Sequence, residues 1–373
     1  MEQDIGMVTQ TDTTLRPPAE SVYADELARL AETDRGPRPA GWFLSPKAVR
    51  RFLIGDPAQK VSRKFYGDDV LVERAIVDLM GEQGLMLVGE PGTAKSMLSE
   101  LLTAAISRRS NLVVQGSAGT TEDHVRYGWN NAMLLAEGPS ERALVASPVL
   151  EAMRSGRIVR IEEITRCPPE IQDTLISIMS EKVIAIPELG EDRAVFAQPG
   201  FNIIATANLK DRGVHEMSSA LKRRFNIETV LPISDPGLER DLIAAQLARR
   251  LDRAELKAVM PDDVMELLVS TFQDLRSGKT REGAPVPRPD AVMSTAEAVN
   301  VAHAAALDAF YFGDGKVNGG HVARQMTGVV LKDNADDVAK LKAYVDHVVK
   351  ERSRKSRAWS EMLSAFKAGK GGS

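Results

Sequence analysis

Cysteine is almost absent from this chain of 373 residues: only Cys167 is present, so no internal disulfide can form and nothing points to an oxidising compartment. A surplus of charge is lacking too. The net charge of −4 gives the whole molecule no electrostatic footprint for nucleic acid or an anionic membrane, which makes a nucleic-acid partner unexpected. No apolar run approaches the roughly 20 residues of a membrane-spanning helix. The start, Met1-Glu2-Gln3-Asp4, has no basic segment before an apolar one, so no signal peptide is read there and a cytoplasmic location is expected. His124, His215, His303, His321 and His347 show no ligand spacing, so zinc is not expected. There is no long internal repeat and no low-complexity block. What remains, 43% apolar and 27% charged residues, is the composition of a globular protein large enough for one or two domains.

One stretch organises the rest. Leu85-Met86-Leu87-Val88 reads as a short buried strand, Gly89-Glu90-Pro91-Gly92-Thr93-Ala94-Lys95-Ser96 as a loop, and the residues from Ser96 as a helix with Leu98, Leu101, Leu102 and Ala105 on one face. Strand, glycine loop and helix start form a phosphate cradle, because backbone N–H groups converge there and the helix dipole favours negative charge. Candidate nucleotide contacts are therefore Gly89, Glu90, Pro91, Gly92, Thr93, Ala94, Lys95, Ser96 and Met97. Lys95 would reach the β- and γ-phosphates, and the Ser96 hydroxyl would ligate Mg²⁺. The spacing fits G-x-x-x-x-G-K-[ST] except that Ala94 stands for the second glycine. The bland alternative is a tight strand-to-helix turn that happens to carry Lys-Ser.

About sixty residues beyond Lys95, Arg160-Ile161-Glu162-Glu163-Ile164 ends another strand, where an acidic pair of the Walker B kind belongs. Glu162 is assigned to the metal shell and Glu163 to the attacking water. Asn208, at the tip of the apolar strand Phe201 to Ala205, could hold the same water from the other side. Leu221-Lys222-Arg223-Arg224-Phe225 is a basic cluster ending a helix, which alone reads as an answer to the helix dipole. Pro287-Arg288-Pro289 sets one arginine in a proline frame.

Residues 1–45 read as a flexible arm with a short helix from Ser21 to Ala31, packing loosely or on a neighbouring subunit. From 46 to 233, strands alternate with helices, which argues for a parallel sheet covered on both faces. The strands expected after the nucleotide helix are Asn111 to Gln115, Ile158 to Ile161, Phe201 to Ala205 and Ile227 to Leu231. Helix is expected over Glu122 to Tyr127, and a hairpin over Val183 to Phe196 around Gly190-Glu191-Asp192. From 234 to 373 only helices are read, over 236–250, 261–277, 291–312, 319–332, 336–350 and 355–367, then a disordered tail from Ala368. Lys350 to Arg357 carries five basic residues, read as a solvated helix junction. Cys167 is read as packing.

These elements, in this order over residues 60 to 330, resemble the AAA+ ATPases and more closely their MoxR branch, with the YehL-type subgroup the nearest in pattern. The stretch Glu162-Glu163-Ile164-Thr165-Arg166-Cys167-Pro168-Pro169 is similar to the family's D-E-I-N-R-A-P-P, and Ala94 is the family's usual residue before the lysine. Glu162 and Thr165 depart from the family's aspartate and asparagine. The resemblance implies an α/β fold: a P-loop NTPase core with a parallel sheet flanked by helices, followed by an all-helical lid domain. It implies ATP and Mg²⁺, Asn208 as sensor 1 and Arg288 as sensor 2. It also implies Arg224, with Arg223 as runner-up, as an arginine finger acting on a neighbour's γ-phosphate. Arg166 would reach toward that shared site, and Gly67 and Asp68 would lie near the adenine. The expected activity is ATP hydrolysis in an oligomeric ring, a hexamer, that remodels a client protein as a chaperone does. A von Willebrand factor A domain protein is the expected partner. A regulatory ATP-binding switch with slow hydrolysis is the first alternative, and a nucleic-acid-associated NTPase motor the second.

Overall fold

The computed structural model describes residues 15–190, 192–208, 215–291, 293–330 and 335–368. Two compact units divide the chain: one runs to Glu90 and from Lys95 to Val230, and the other takes Leu231 onward together with the loop residues Pro91–Ala94.

The first unit opens with α1 (Ala19–Val22), α2 (Ala24–Thr33), α3 (Pro46–Ile54) and α4 (Asp69–Met80). Ser45 caps α3 through the Ala48 N–H, with Pro46 at the first helical position, as its sequence demands. Then come β1 (Gly84–Val88), α5 (Lys95–Ser107), β2 (Val113–Gln115), β3 (Tyr127–Trp129), α6 (Asn131–Glu137), β4 (Leu144–Ala146) and α7 (Pro148–Ser155). The unit is completed by β5 (Ile158–Glu162), α8 (Pro169–Glu181), β6 (Val183–Ala185), β7 (Ala194–Phe196), β8 (Asn202–Ala207), α9 (Ser219–Lys222) and β9 (Phe225–Thr229).

Five strands form one parallel sheet in the order β2-β5-β8-β1-β9. Every residue of β1, β5 and β8 is buried, so β1 is a continuous apolar run, and the polar side chains of β5 and β8, Arg160, Glu162, Asn202 and Thr206, are buried with them. The register pairs Val88 with Ala207, Ile161 with Ala205 and Gln115 with Glu162, so the carboxyl ends of β1, β5 and β8 finish along one edge. The chain leaves β1 and crosses to the far strand β2, and later returns to β9 on the other side of β1. That reversal is the topological switch point at which such sheets bind ligands. Apolar clusters lie on both faces, one with Leu87, Leu98, Leu102 and Val72, the other with Met86, Ile161, Ile178 and Leu221.

Several expectations need correction. Residues 19–44 are no loose arm: Ala19, Leu27, Leu30, Trp42 and Leu44 are buried in the first cluster. The Lys64 ammonium, itself buried, pairs with Glu26 and lies over the rings of Tyr23 and Phe52, pinning α2 to the body. Only Glu122–His124 of the expected helix makes a turn, and the chain then enters β3, which pairs antiparallel with β4. The hairpin forms from β6 and β7, with Val183 opposite Phe196. Residues 1–14, Glu191 and the tail from 369 lie outside the described residues.

The second unit is helical: α10 (Pro236–Arg253), α11 (Asp262–Ser277), α12 (Thr295–Phe312), α13 (Gly319–Val330), α14 (Ala335–Tyr344), α15 (Lys350–Arg352) and α16 (Arg357–Ala368). A π-helical turn over Val345–Val349 joins α14 to α15. Local chemistry fixes the helix ends: Asp235 caps the start of α10, Gly278 ends α11 with φ 73°, and Ser294 and Glu297 form a capping box at the start of α12. α13 sits directly on α16 because Gly319 has no side chain; a Cβ there would lie 1.9 Å from the Ala358 carbonyl oxygen. Buried Glu239 on α10 ties the unit together, accepting from Gln273 Nε2 (2.9 Å), Thr295 Oγ1 (2.7 Å) and the Arg276 guanidinium. Of the basic run, Arg352 is no solvated charge: it pairs with Asp274 and Glu282 and lies over the Trp359 ring.

Candidate functional site

β1 ends at Val88 and the loop Gly89–Ala94 delivers the chain to Lys95, the first residue of α5. Gly92 has φ 76° and Ala94 φ 69°, so both take the left-handed backbone. At Gly92 this is free; at Ala94 the Cβ costs about 1–2 kcal/mol. The loop therefore keeps its glycine-like shape at the position where the sequence has alanine. Lys95 is buried, and its ammonium donates to the carbonyls of Gly89 (3.0 Å) and Glu90 (2.9 Å).

Glu162, the last residue of β5, is buried beside this loop's helix. Its Oε2 accepts from the hydroxyls of Ser96 (2.6 Å) and Thr206 (2.7 Å), and its Oε1 from Ser99 Oγ (2.9 Å) and Arg160 Nη2 (2.6 Å). Burial pushes the carboxyl upward, but the Ser96 bond, the Arg160 charge and the Thr206 and Ser99 bonds outweigh it and hold the group below the usual carboxylate range. Glu163 follows with φ 56°, again left-handed, and its backbone N–H donates to Thr206 Oγ1 (3.0 Å). One threonine hydroxyl thus connects both members of the acidic pair. Asn208 is buried two residues beyond Thr206, just past the end of β8.

The structure therefore brings Lys95, Ser96, Glu162, Glu163 and Asn208 to one edge of the sheet, with Met97 part-buried in the next turn of α5. Arg166 is near Glu163, its Nε 3.9 Å from Glu163 Oε2. Asp68 caps α4 through the Val70 N–H, and the Gly67 carbonyl faces Arg63. Arg224 is placed elsewhere on the unit, donating from Nε to Ser180 Oγ (3.0 Å) and from Nη1 to the Ala220 carbonyl (3.1 Å). Arg223 is exposed, and its carbonyl accepts from Gln83. Arg288 belongs to the second unit, exposed between Pro287 and Pro289. Cys167 is fully buried, and burial pushes its thiol up.

The sequence reading missed Arg160, Ser99 and Thr206. Arg160 left a signal: a charge in the middle of an apolar strand buried on both faces must find a buried partner. Among the described residues no group of three His, Cys, Asp or Glu side chains could cage a metal ion. The donor set that is present, a serine hydroxyl backed by a carboxylate, suits Mg²⁺, which takes one or two protein ligands and fills its shell with phosphate oxygens and water.

Residues 84–225 match the AAA domain (dynein-related subfamily), and residues 238–368 match the YehL-like AAA+ ATPase C-terminal domain. The chain is 48% identical to the uncharacterized protein YehL of Escherichia coli (strain K12) over 360 residues, covering 96% of this chain and 99% of that one. It is 28% identical over 196 residues to the uncharacterized protein SH1500 of Staphylococcus haemolyticus, 52% of this chain and 69% of the other. Among solved structures, NtrX from Brucella abortus aligns at 13% identity and a TM-score of 0.49, over 80% of this chain and 62% of that one, so this chain spans less than two thirds of NtrX. With a dynein-type AAA domain, the matching carboxyl-terminal domain and near-complete alignment to YehL, the chain belongs to the YehL-like AAA+ ATPases.

Proposed function

We propose that this chain binds ATP with Mg²⁺ at the loop after β1 and hydrolyses it, working in a ring that remodels or activates a partner protein. One observation carries the reading: Lys95, Ser96, Glu162, Glu163 and Asn208 share the carboxyl edge of the sheet at its switch point.

On this reading the loop amides and Lys95 receive the phosphates, the ammonium exchanging the carbonyls of Gly89 and Glu90 for β- and γ-oxygens. Ser96, its hydroxyl hydrogen held by Glu162, would hold Mg²⁺ through an oxygen lone pair. Held there, Mg²⁺ would supply charge neutralisation for the transferred phosphoryl group. Glu163 polarises the attacking water, and Asn208 holds that water from the opposite side. Arg288 serves the nucleotide as the second sensor.

Arg224, with Arg223 as runner-up, completes the site of a neighbouring subunit, and the family likeness favours a hexamer of the MoxR kind. Within its own subunit Arg224 is bonded to Ser180 and Ala220, so no nucleotide role in its own site is needed to explain it. A partner carrying a von Willebrand factor A domain follows from the same likeness; a pull-down from the native host that recovers no such protein would count against it. A cytoplasmic location belongs to the same proposal; among the described residues no helix is long and apolar enough to cross a membrane.

A switch that binds ATP and hydrolyses it slowly is the second reading, favoured by the donors that already engage both oxygens of Glu162. ATP turnover per subunit, measured across a range of protein concentrations, decides. Turnover that climbs steeply and then saturates supports sites shared between subunits. Negligible turnover at every concentration, with ATP still bound, replaces the motor with the switch.

A further inference from the structure

Arg160 lies two residues before Glu162 on β5, so both side chains leave the same face of the strand. Its guanidinium is 7% exposed and fully engaged: Nη2 reaches Glu162 Oε1 (2.6 Å) and the Ser96 carbonyl (3.1 Å), Nε reaches Ser99 Oγ (3.0 Å), and Nη1 reaches the Ser110 carbonyl (3.1 Å). A carboxylate offers about four acceptor sites. Both oxygens of Glu162 are engaged within the chain, one by Arg160 and Ser99 and the other by Ser96 and Thr206, with the single Ser99 hydrogen shared between Glu162 and the Ser96 carbonyl (2.9 Å).

Two consequences follow. Both Glu162 oxygens already hold donors of the chain, so its hold on a cation runs through the Ser96 hydroxyl, whose oxygen keeps its lone pairs. The buried Arg160–Glu162 pair is also electrically neutral as a unit, so an arriving divalent cation meets the dipole of a pair instead of a bare carboxylate. The length of glutamate fits this arrangement, because its carboxylate has to reach Arg160, the Ser96 and Ser99 hydroxyls of α5 and Thr206 of β8 at once.

We propose that Arg160 is a positioning residue and a permanent counter-charge for Glu162: it fixes the carboxylate that orients Ser96, and it sets the divalent-cation affinity of the nucleotide site below that of an unpaired carboxylate. The proposal rests on the nucleotide reading of the site. It predicts an inversion that a merely structural role would not produce, since removing the arginine tightens the binding of a cation.

The test uses the full chain saturated with ADP and titrated with Mn²⁺, free Mn²⁺ being read by electron paramagnetic resonance. Arg160→Met should bind Mn²⁺ about tenfold tighter or more, and Glu162→Gln about tenfold weaker or more, because each leaves one uncompensated charge in a medium of low effective dielectric. The double variant Arg160→Met with Glu162→Gln is neutral again and should return to within about threefold of wild type. Arg160→Lys, which keeps the charge and gives up the fork, should also stay within about threefold. ADP affinity in EDTA, measured for each variant, gives the baseline against which its Mn²⁺ affinity is read, because Arg160 and Glu162 both bond to Ser96.

Weaker or unchanged Mn²⁺ binding by Arg160→Met overturns the proposal. So does a double variant as weak as Glu162→Gln alone. Should the buried unpaired carboxylate keep Arg160→Met from folding, the neutral double variant and Arg160→Lys decide between them. Wild-type protein that binds neither ADP nor Mn²⁺ with ADP brings down the nucleotide reading and this proposal together; wild-type binding without the inversion brings down this proposal only.

Discussion

Thr206→Val removes one hydroxyl and almost no volume, and the structure says what that hydroxyl does. Thr206 is fully buried; its Oγ1 accepts the Glu163 N–H at 3.0 Å and donates to Glu162 Oε2 at 2.7 Å. In the valine variant the Glu163 amide loses this acceptor at a cost of about 1–3 kcal/mol, and Glu162 keeps three of its four donors and loses about 1–2 kcal/mol. Together these predict a stability loss of about 2–5 kcal/mol, or a melting temperature lower by about 5–15 °C for a unit of this size.

The catalytic effect should be larger than the stability effect suggests. Glu163 has φ 56°, a conformation costing about 1–2 kcal/mol, comparable to the bond that holds it. Freed from Thr206, Glu163 can relax, and a displacement of about 1 Å at a water-activating carboxylate costs up to about a hundredfold in rate. Steady-state ATP turnover and nucleotide binding, measured together, should show kcat down by about tenfold to a hundredfold with nucleotide Kd changed less than about threefold. Thr206→Ser should recover most of the rate. Turnover of Thr206→Val within about twofold of wild type, or failure of the serine to rescue, would refute the role given to this hydroxyl.

Three further outcomes are expected. Arg224→Ala should lower turnover by about a thousandfold, as loss of an arginine finger does, while ATP affinity measured by calorimetry stays close to wild type. Lys64→Met, which leaves Glu26 without its buried partner, should destabilise by about 2–4 kcal/mol and expose residues 16–45 to limited proteolysis before the rest of the unit is cut. The Tyr127 phenol is pushed up to about 12, by burial first and then by its hydrogen bond to Glu188, against an ordinary value of 10.0. Its stabilising contribution should therefore be complete below pH 10 and fade as pH rises toward 12; Tyr127→Phe should lack this component in urea denaturation midpoints taken across that range.

How much of this was legible depended on how local the signal was. The strand, loop and helix start around Gly89–Ser96 were readable because they lie within twenty residues and each has its own marker. The helices of the second unit were readable because their end signals, such as Gly278 after α11, act on immediate neighbours. The strands β3 and β4 were not, because each has only three residues and is separated from its partner by α6 instead of a tight turn. The burial of residues 19–44 was missed for a different reason: few apolar side chains are involved, and their partners lie on α3, α4 and α5. The donors around Glu162 were also out of reach, since Ser99 and Thr206 lie 63 and 44 residues away in sequence. Only Arg160, a charge inside a buried strand, announced that such a network had to exist.

The central claim is that each nucleotide site is completed by a neighbouring subunit, and mixing two inactive variants tests it most directly. Lys95→Ala loses the phosphate-binding ammonium but keeps Arg224, whereas Arg224→Ala keeps the phosphate loop and loses the guanidinium. Each alone should be nearly silent in ATP turnover. If sites are shared, co-assembled mixtures regain activity, highest near equal proportions, because some interfaces then pair an intact loop with an intact Arg224. Mixtures that stay as silent as either variant alone, while the wild type turns over ATP, would contradict the shared site.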